Sequence, residues 1–338
     1  MIPNDVQTYL NSLPNDILEL DLSNKKLTEV PDLSRFTQLQ KFNCSDNRLT
    51  SLPNLPNSLQ KLYCYFNKLN SLPNNLPNSL QILNCRSNQL TSLPDLPNSL
   101  QELYCDYNQL TSLPNTLPNS LQILYCGWNN LTSLPDTLPN SLQELGCSHN
   151  QLTSLPDTLP NSLQILNCWY NQLTFLPDHL PNSLYYLSVD NNQLTSFPSL
   201  HPLPNSLQIL SCRYNQLTSL PDHLPNSLRR LFCTGNQLTS LPDLPNSLYI
   251  LDCRYIPEIE RVYSLLKTFK TVPEKIKYIN ERNWQITKEK AEKRMHILNP
   301  KESEGGLVEK AIQWRMRPER MAKYLDDGYN LDDIADFV

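Results

Sequence analysis

Hydrophobic residues recur along this chain with a long period of about twenty residues, and inside each period they alternate. In "LQELYCDYN", residues 100–108, Leu103 and Cys105 alternate with other positions, so they share one face of a short strand. Leu100 packs just ahead of them. The unit reads L-x-x-L-x-C-x-x-N-x-L-T-S-L-P-(D/N)-(x)-L-P-N-S. It opens at Leu39, Leu59, Leu80, Leu100, Leu121, Leu142, Leu163, Leu184, Leu207, Leu228 and Leu248, and Ile17 opens a divergent first copy. Spacing is mostly 20 or 21 residues, and one unit of 23 carries the extra residues of "FPSLHPLPNSL". One unit cannot keep its apolar groups dry. Stacked side by side, such units predict a parallel sheet whose inner face is a continuous core. The stretch "SLPDxLPNSL" sets two prolines three or four residues apart, which works against a helix and predicts an extended, polyproline-like return path.

Twelve copies of this pattern are the leucine-rich-repeat signature. The predicted fold is a leucine-rich-repeat solenoid: a parallel β-sheet on the concave face, an extended convex side and a small all-α C-terminal domain. The divisions are an N-terminal cap over 1–16, a solenoid over 17–255 and a helical segment over 256–338. In that last segment "IPEIERVYSLLKTFKT" places Ile259, Val262, Tyr263, Leu266 and Phe269 at helical spacing.

All ten cysteines fall at one phase of the repeat, where other copies place Val189 and Leu22. A position that accepts Cys, Val or Leu wants a small or medium apolar side chain, and a free thiol serves as one. Neighbours on a sheet stand about 4.8 Å apart, so distance alone does not forbid crosslinks, and redox or metal chemistry is the alternative reading. Three residues on, an Asn recurs from Asn47 to Asn236. Its amide suits turn backbone groups that would otherwise be buried unpaired. Lys25 and Ile256 break that ladder at the two ends, as capping repeats do.

Four phases per repeat face outward from the sheet: the residues flanking the second Leu, and the two between Cys and Asn. Of the 20 aromatic residues in 1–255, 13 fall at these phases, which hold fewer than one position in five. Clustered rings mark interaction sites, and Tyr, Trp and Arg dominate interface hot spots. The candidate partner-binding residues are Tyr63, Tyr65, Phe66, Arg86, Tyr104, Asp106, Tyr107, Tyr125, Trp128, His149, Trp169, Tyr170, Tyr186, Arg213, Tyr214, Arg230, Phe232, Arg254 and Tyr255. The same placement also suits cross-strand stacking that only stabilises the sheet.

Charge and composition narrow the function. Formal net charge is −5, and residues 1–253 carry 11 Lys/Arg against 18 Asp/Glu, which argues against nucleic acid on the solenoid. Residues 254–323 reverse the balance, with 17 Lys/Arg against 10 Asp/Glu. Nucleic-acid binding through the rings and this basic segment is therefore the alternative to protein binding. No apolar run is long enough to span a membrane, and the start lacks the marks of a signal peptide, so an intracellular home is expected. The five histidines are scattered, and no phosphate loop, metal-site motif or nucleophile elbow is present. The expectation is a protein without catalytic residues, metal or cofactor.

The "LTSLP…LP" endings resemble the short repeats of the YopM-like and IpaH-like bacterial effectors. The Cys-phase, Asn-rich version also resembles repeat proteins of amoeba-infecting giant DNA viruses. The resemblance covers about residues 17–255 and implies a scaffold that docks a host or viral protein. IpaH-like effectors carry a ligase domain with a nucleophilic cysteine after the repeats. This chain has no cysteine after Cys253, so that activity is not carried over.

Overall fold

The structure is a computed structural model that describes residues 4–253, apart from 199–200, 239–240, 243 and 246. The predicted helical segment, with Arg254 and Tyr255, lies outside the described residues.

Twelve three-residue strands form one parallel sheet in strict sequence order. They are β1 (Glu19–Asp21), β2 (Lys41–Asn43), β3 (Lys61–Tyr63), β4 (Ile82–Asn84), β5 (Glu102–Tyr104), β6 (Ile123–Tyr125), β7 (Glu144–Gly146), β8 (Ile165–Asn167), β9 (Tyr186–Ser188), β10 (Ile209–Ser211), β11 (Arg230–Phe232) and β12 (Ile250–Asp252). Register is fixed by the repeat: Leu124 pairs with Leu145, and Leu145 with Leu166. The central residue of every strand, Phe42 in β2 and Leu in the other eleven, is buried. Return segments hold no helix among the described residues, as the paired prolines predict. Helix α1 (Asn4–Ser12) precedes the sheet and adds Val6 and Leu10 to the core. Arg35 donates to the carbonyls of Leu10 and Leu13, which ties the end of that helix down. No helix among the described residues is long and apolar enough to cross a membrane.

The core is built in columns. Leu100, Leu103, Cys105 and Leu110 are all fully buried, and their counterparts repeat the pattern from copy to copy. Burying each such Leu contributes about 2 kcal/mol. The nine cysteines from Cys44 to Cys233 are buried free thiols. Burial pushes the Cys85 thiol up to about 12, and it raises its neighbours Cys64 and Cys105 as well. The thiols pack among the leucines of the core, as a small apolar side chain would.

The asparagine column does what its amide chemistry allows. Asn150 Oδ1 accepts the Leu131 N–H at 2.9 Å. Its Nδ2 donates to the Cys126 carbonyl of the preceding repeat and to its own Cys147 carbonyl, both at 3.0 Å. Each Asn thus stitches two repeats together at a buried turn. A second column serves the other side of the repeat. The Ser of "PNS" donates back one repeat, as when Ser120 Oγ reaches the Leu100 carbonyl at 2.6 Å.

Candidate partner-binding surface

The outward phases form four columns on the sheet. The first and third strand residues give two of them. The two residues between Cys and Asn give the others, and the last of these has an unusual backbone. Every copy from Asn24 to Gly235 holds that residue at positive φ, between 50° and 74°. This twist closes the turn. It lets the N–H of Trp128 bond the Ser148 carbonyl at 2.8 Å while Asn129 turns inward. Asn, Asp and Gly accept the left-handed region best, and they hold it at Asn24, Asp46, Asn191 and Gly235. Phe66, Tyr107, Trp128, Tyr170 and Tyr214 hold it too, although a bulky side chain there costs about 1 kcal/mol or more.

Those rings stack. Tyr107 lies on Trp128 with centroids 5.0 Å apart and planes 11° apart. Trp128 lies on His149 at 3.5 Å, and His149 on Tyr170 at 4.5 Å. Trp169 closes on the His149 edge at 4.4 Å and 79°. Stacking contributes about 0.5–1.5 kcal/mol per pair, which offsets the backbone strain. Burial between the rings drives the His149 imidazole down to about 4. Tyr170 and Tyr214 remain exposed, 47% and 51%.

A second stack lies on the strands. Tyr104 and Tyr125 are parallel at 5.7 Å and 12°. The Tyr104 hydroxyl donates to Glu102 Oε2 at 3.0 Å, and the Tyr125 hydroxyl to Glu144 Oε2 at 2.6 Å. Burial, then the neighbouring carboxylate, pushes the Tyr125 hydroxyl well above its ordinary range. The Tyr125 ring lies where a Cβ on Gly146 would be, so only glycine at that position permits this pose. Gly235 makes the same room for Tyr214.

The remaining predicted residues divide into groups. Tyr63, Tyr65, Phe66 and Tyr186 are half-buried on the same face, with Tyr65 and Phe66 packed edge to face. Burial lifts Asp106 to about 6, against the pull of the Arg86 guanidinium, and its carboxylate accepts the Gly127 N–H at 3.0 Å. Arg86 and Arg230 are only 5% exposed, so neither presents a free head. Arg86 lies over the Tyr107 ring, and Arg230 donates from Nε to the Tyr249 hydroxyl at 3.0 Å. Arg213 lies over Phe232 and pairs with Asp252 at 3.8 Å. Among the described residues, no three of His, Cys, Asp and Glu gather to hold a metal ion. The left-handed column was missed in the sequence reading, although Asn24, Asp46, Asn191 and Gly235 share that phase with the rings and were its signal.

A family model for leucine-rich repeats, two copies, matches residues 205–246. YopM, a leucine-rich effector protein from Yersinia pestis, is 32% identical, with 78% of this chain and 82% of that one covered at a TM-score of 0.59. The chain belongs to the leucine-rich-repeat family. YopM from Yersinia enterocolitica WA-314 is 36% identical over 73% of this chain, with a TM-score of 0.61. The functional domain of InlJ from Listeria monocytogenes, which includes a cysteine ladder, is 30% identical over 71% of this chain, with a TM-score of 0.65. This leucine-rich-repeat chain spans 58% of the length of the Yersinia enterocolitica protein and 55% of InlJ. No curated protein matches it. Leucine-rich-repeat proteins generally act as scaffolds for protein–protein interaction.

Proposed function

We propose that this chain is a non-enzymatic scaffold that binds a partner protein, of host or viral origin, on the outer, concave face of its sheet. The supporting observation is the left-handed column. Five bulky rings occupy a backbone conformation that Asn or Gly fills with less strain, on the one face where copies differ most. Rings set this way are rigid before a partner arrives, so few rotamers are lost on contact. The centre of the surface is Tyr104, Tyr107, Tyr125, Trp128, Trp169 and Tyr170. An intracellular setting accords with the buried, unbridged cysteine column.

The test is affinity capture from the native cell with wild type, Trp128→Glu and Trp169→Glu. Both variants are expected to keep the wild-type circular dichroism and to lose at least one partner. Retention of every partner by both folded variants overturns this reading.

A further inference from the structure

The outward face is electrically uneven. In the five repeats from β5 to β9, the four outward phases hold Glu102, Asp106, Glu144 and Asp190, and no Lys or Arg. Two of these carboxylates already face a cation, Asp106 toward Arg86 and Asp190 toward Arg213. Glu102 and Glu144 do not: no ion pair forms to either among the described residues. Each accepts a single tyrosine hydroxyl and keeps lone pairs to spare.

Their placement is regular. The register Glu102–Ile123–Glu144 sets one carboxylate on either side of an Ile, about 10 Å apart across two strand spacings. The parallel rings of Tyr104 and Tyr125 lie alongside, fixed by their own hydroxyls and by the gap at Gly146. An apolar step, two flat ring faces and two uncompensated carboxylates meet on one patch. A long alkyl stem with a planar cationic head matches all three. The stem covers Ile123, the head stacks on a ring, and its fork meets a carboxylate. A guanidinium fits better than an ammonium, since it is planar and less strongly hydrated.

We infer that the patch formed by Glu102, Ile123, Glu144, Tyr104 and Tyr125 is a receptor for an arginine side chain of the partner protein. This deepens the scaffold reading and rests on it. The flanking repeats support the same register, because Lys61, two strands to one side at the same phase as Glu102, would repel a second cation and confine it to the centre.

The experiment uses the full chain and fluorescently labelled peptides of one Gly/Ser sequence carrying two Arg, two Lys or two citrulline residues, read by anisotropy at low salt. The Arg peptide is expected to bind about tenfold tighter than the citrulline peptide and several-fold tighter than the Lys peptide. Glu102→Gln/Glu144→Gln keeps the hydroxyl acceptors and is expected to lose about tenfold in affinity for the Arg peptide. Asp136→Asn/Asp157→Asn removes the same charge from exposed return-segment positions outside the strands and is expected to leave affinity within about twofold, since neither carboxylate belongs to the outward phases that form the patch. Equal losses in the two double variants, or equal affinity for Arg and citrulline, overturns the arginine site. If the tryptophan variants lose their partner while the Glu variant binds the peptide normally, only this inference fails. If they lose no partner, the scaffold reading fails first.

Discussion

Trp128 and Asn129 are neighbours in sequence, and they belong to columns that obey opposite rules. The Asn129 column is almost invariant, turned inward, and saturated with hydrogen bonds to two repeats. The Trp128 column changes from copy to copy, turns outward, and sits in a strained backbone region with only ring contacts to offset the cost. Both residues occupy the same tight turn. The turn needs one residue that can donate and accept inside it and one that can twist to positive φ. The first requirement admits a single side chain type. The second concerns the backbone alone, so the side chain there is free to serve something else. The inner columns therefore determine whether the chain folds, and the outer column determines what it touches.

The comparison breaks most visibly in the core. Leu145→Ala on β7 removes a fully buried side chain between two identical neighbours, and about 3 kcal/mol of stability is expected to go with it. Asn150→Ala comes next. It leaves the Leu131 N–H and the Cys126 and Cys147 carbonyls without their partner, for an expected loss of about 2 kcal/mol. Urea denaturation of the two variants checks both values. The adjacent column supplies the contrast. Trp128→Asn relieves strain and loses stacking at once, so it is expected to move stability by under about 0.5 kcal/mol. A loss at Trp128 as large as that at Asn150 would erase the distinction between the columns.

Much of this was legible in the sequence. The alternation of Leu and Cys gave the strands, the twenty-residue period gave the parallel order, and the amide of the recurring Asn pointed to its bonds. Those features are local and repeated, so each copy checks the others. What escaped notice depended on geometry between copies. Arg86 and Arg230 share a phase with solvent-facing residues, yet both are buried, because each guanidinium packs against a tyrosine of a neighbouring repeat. The bond from the Ser of "PNS" back to the preceding repeat is visible only once the stacking direction is known. The pairing of Tyr104 with Tyr125 required knowing that Gly146 leaves a space, which no single repeat reveals.

Gly146 sharpens the comparison on the outer face. A methyl group there collides with the Tyr125 ring, and the ring must leave its place over the glycine. The expected cost of Gly146→Ala is about 1 kcal/mol, from a displaced ring that loses its stack and its bond to Glu144. Near-ultraviolet circular dichroism should change while the far-ultraviolet signal stays. An unchanged near-ultraviolet spectrum would mean that the glycine does not set the pose of the tyrosine.

The smallest expected effect is a pH dependence, and it tests whether the ring column is as closed as its geometry implies. His149 is stacked on both faces by Trp128 and Tyr170 and met at its edge by Trp169. Its Nε2 has no hydrogen-bond partner among the described residues. A protonated imidazole gains about 0.5–1 kcal/mol from flanking ring faces, but burial between them costs it part of its hydration. Burial wins, and the folded imidazole titrates near 4 in place of its ordinary 6.5. Between these values the unfolded chain takes up a proton that the folded chain refuses, so stability falls as pH drops from 6.5 to about 4 and levels off below. Because the ring is only half-buried, the loss is expected to stay under about 1 kcal/mol. Carboxylates titrate in the same window, so the measure is the difference between wild type and His149→Asn, which keeps a residue suited to positive φ. The variant should lose less stability on acidification than wild type. Parallel curves would show that water reaches the imidazole freely, and that the rings on either side of it stand apart in solution.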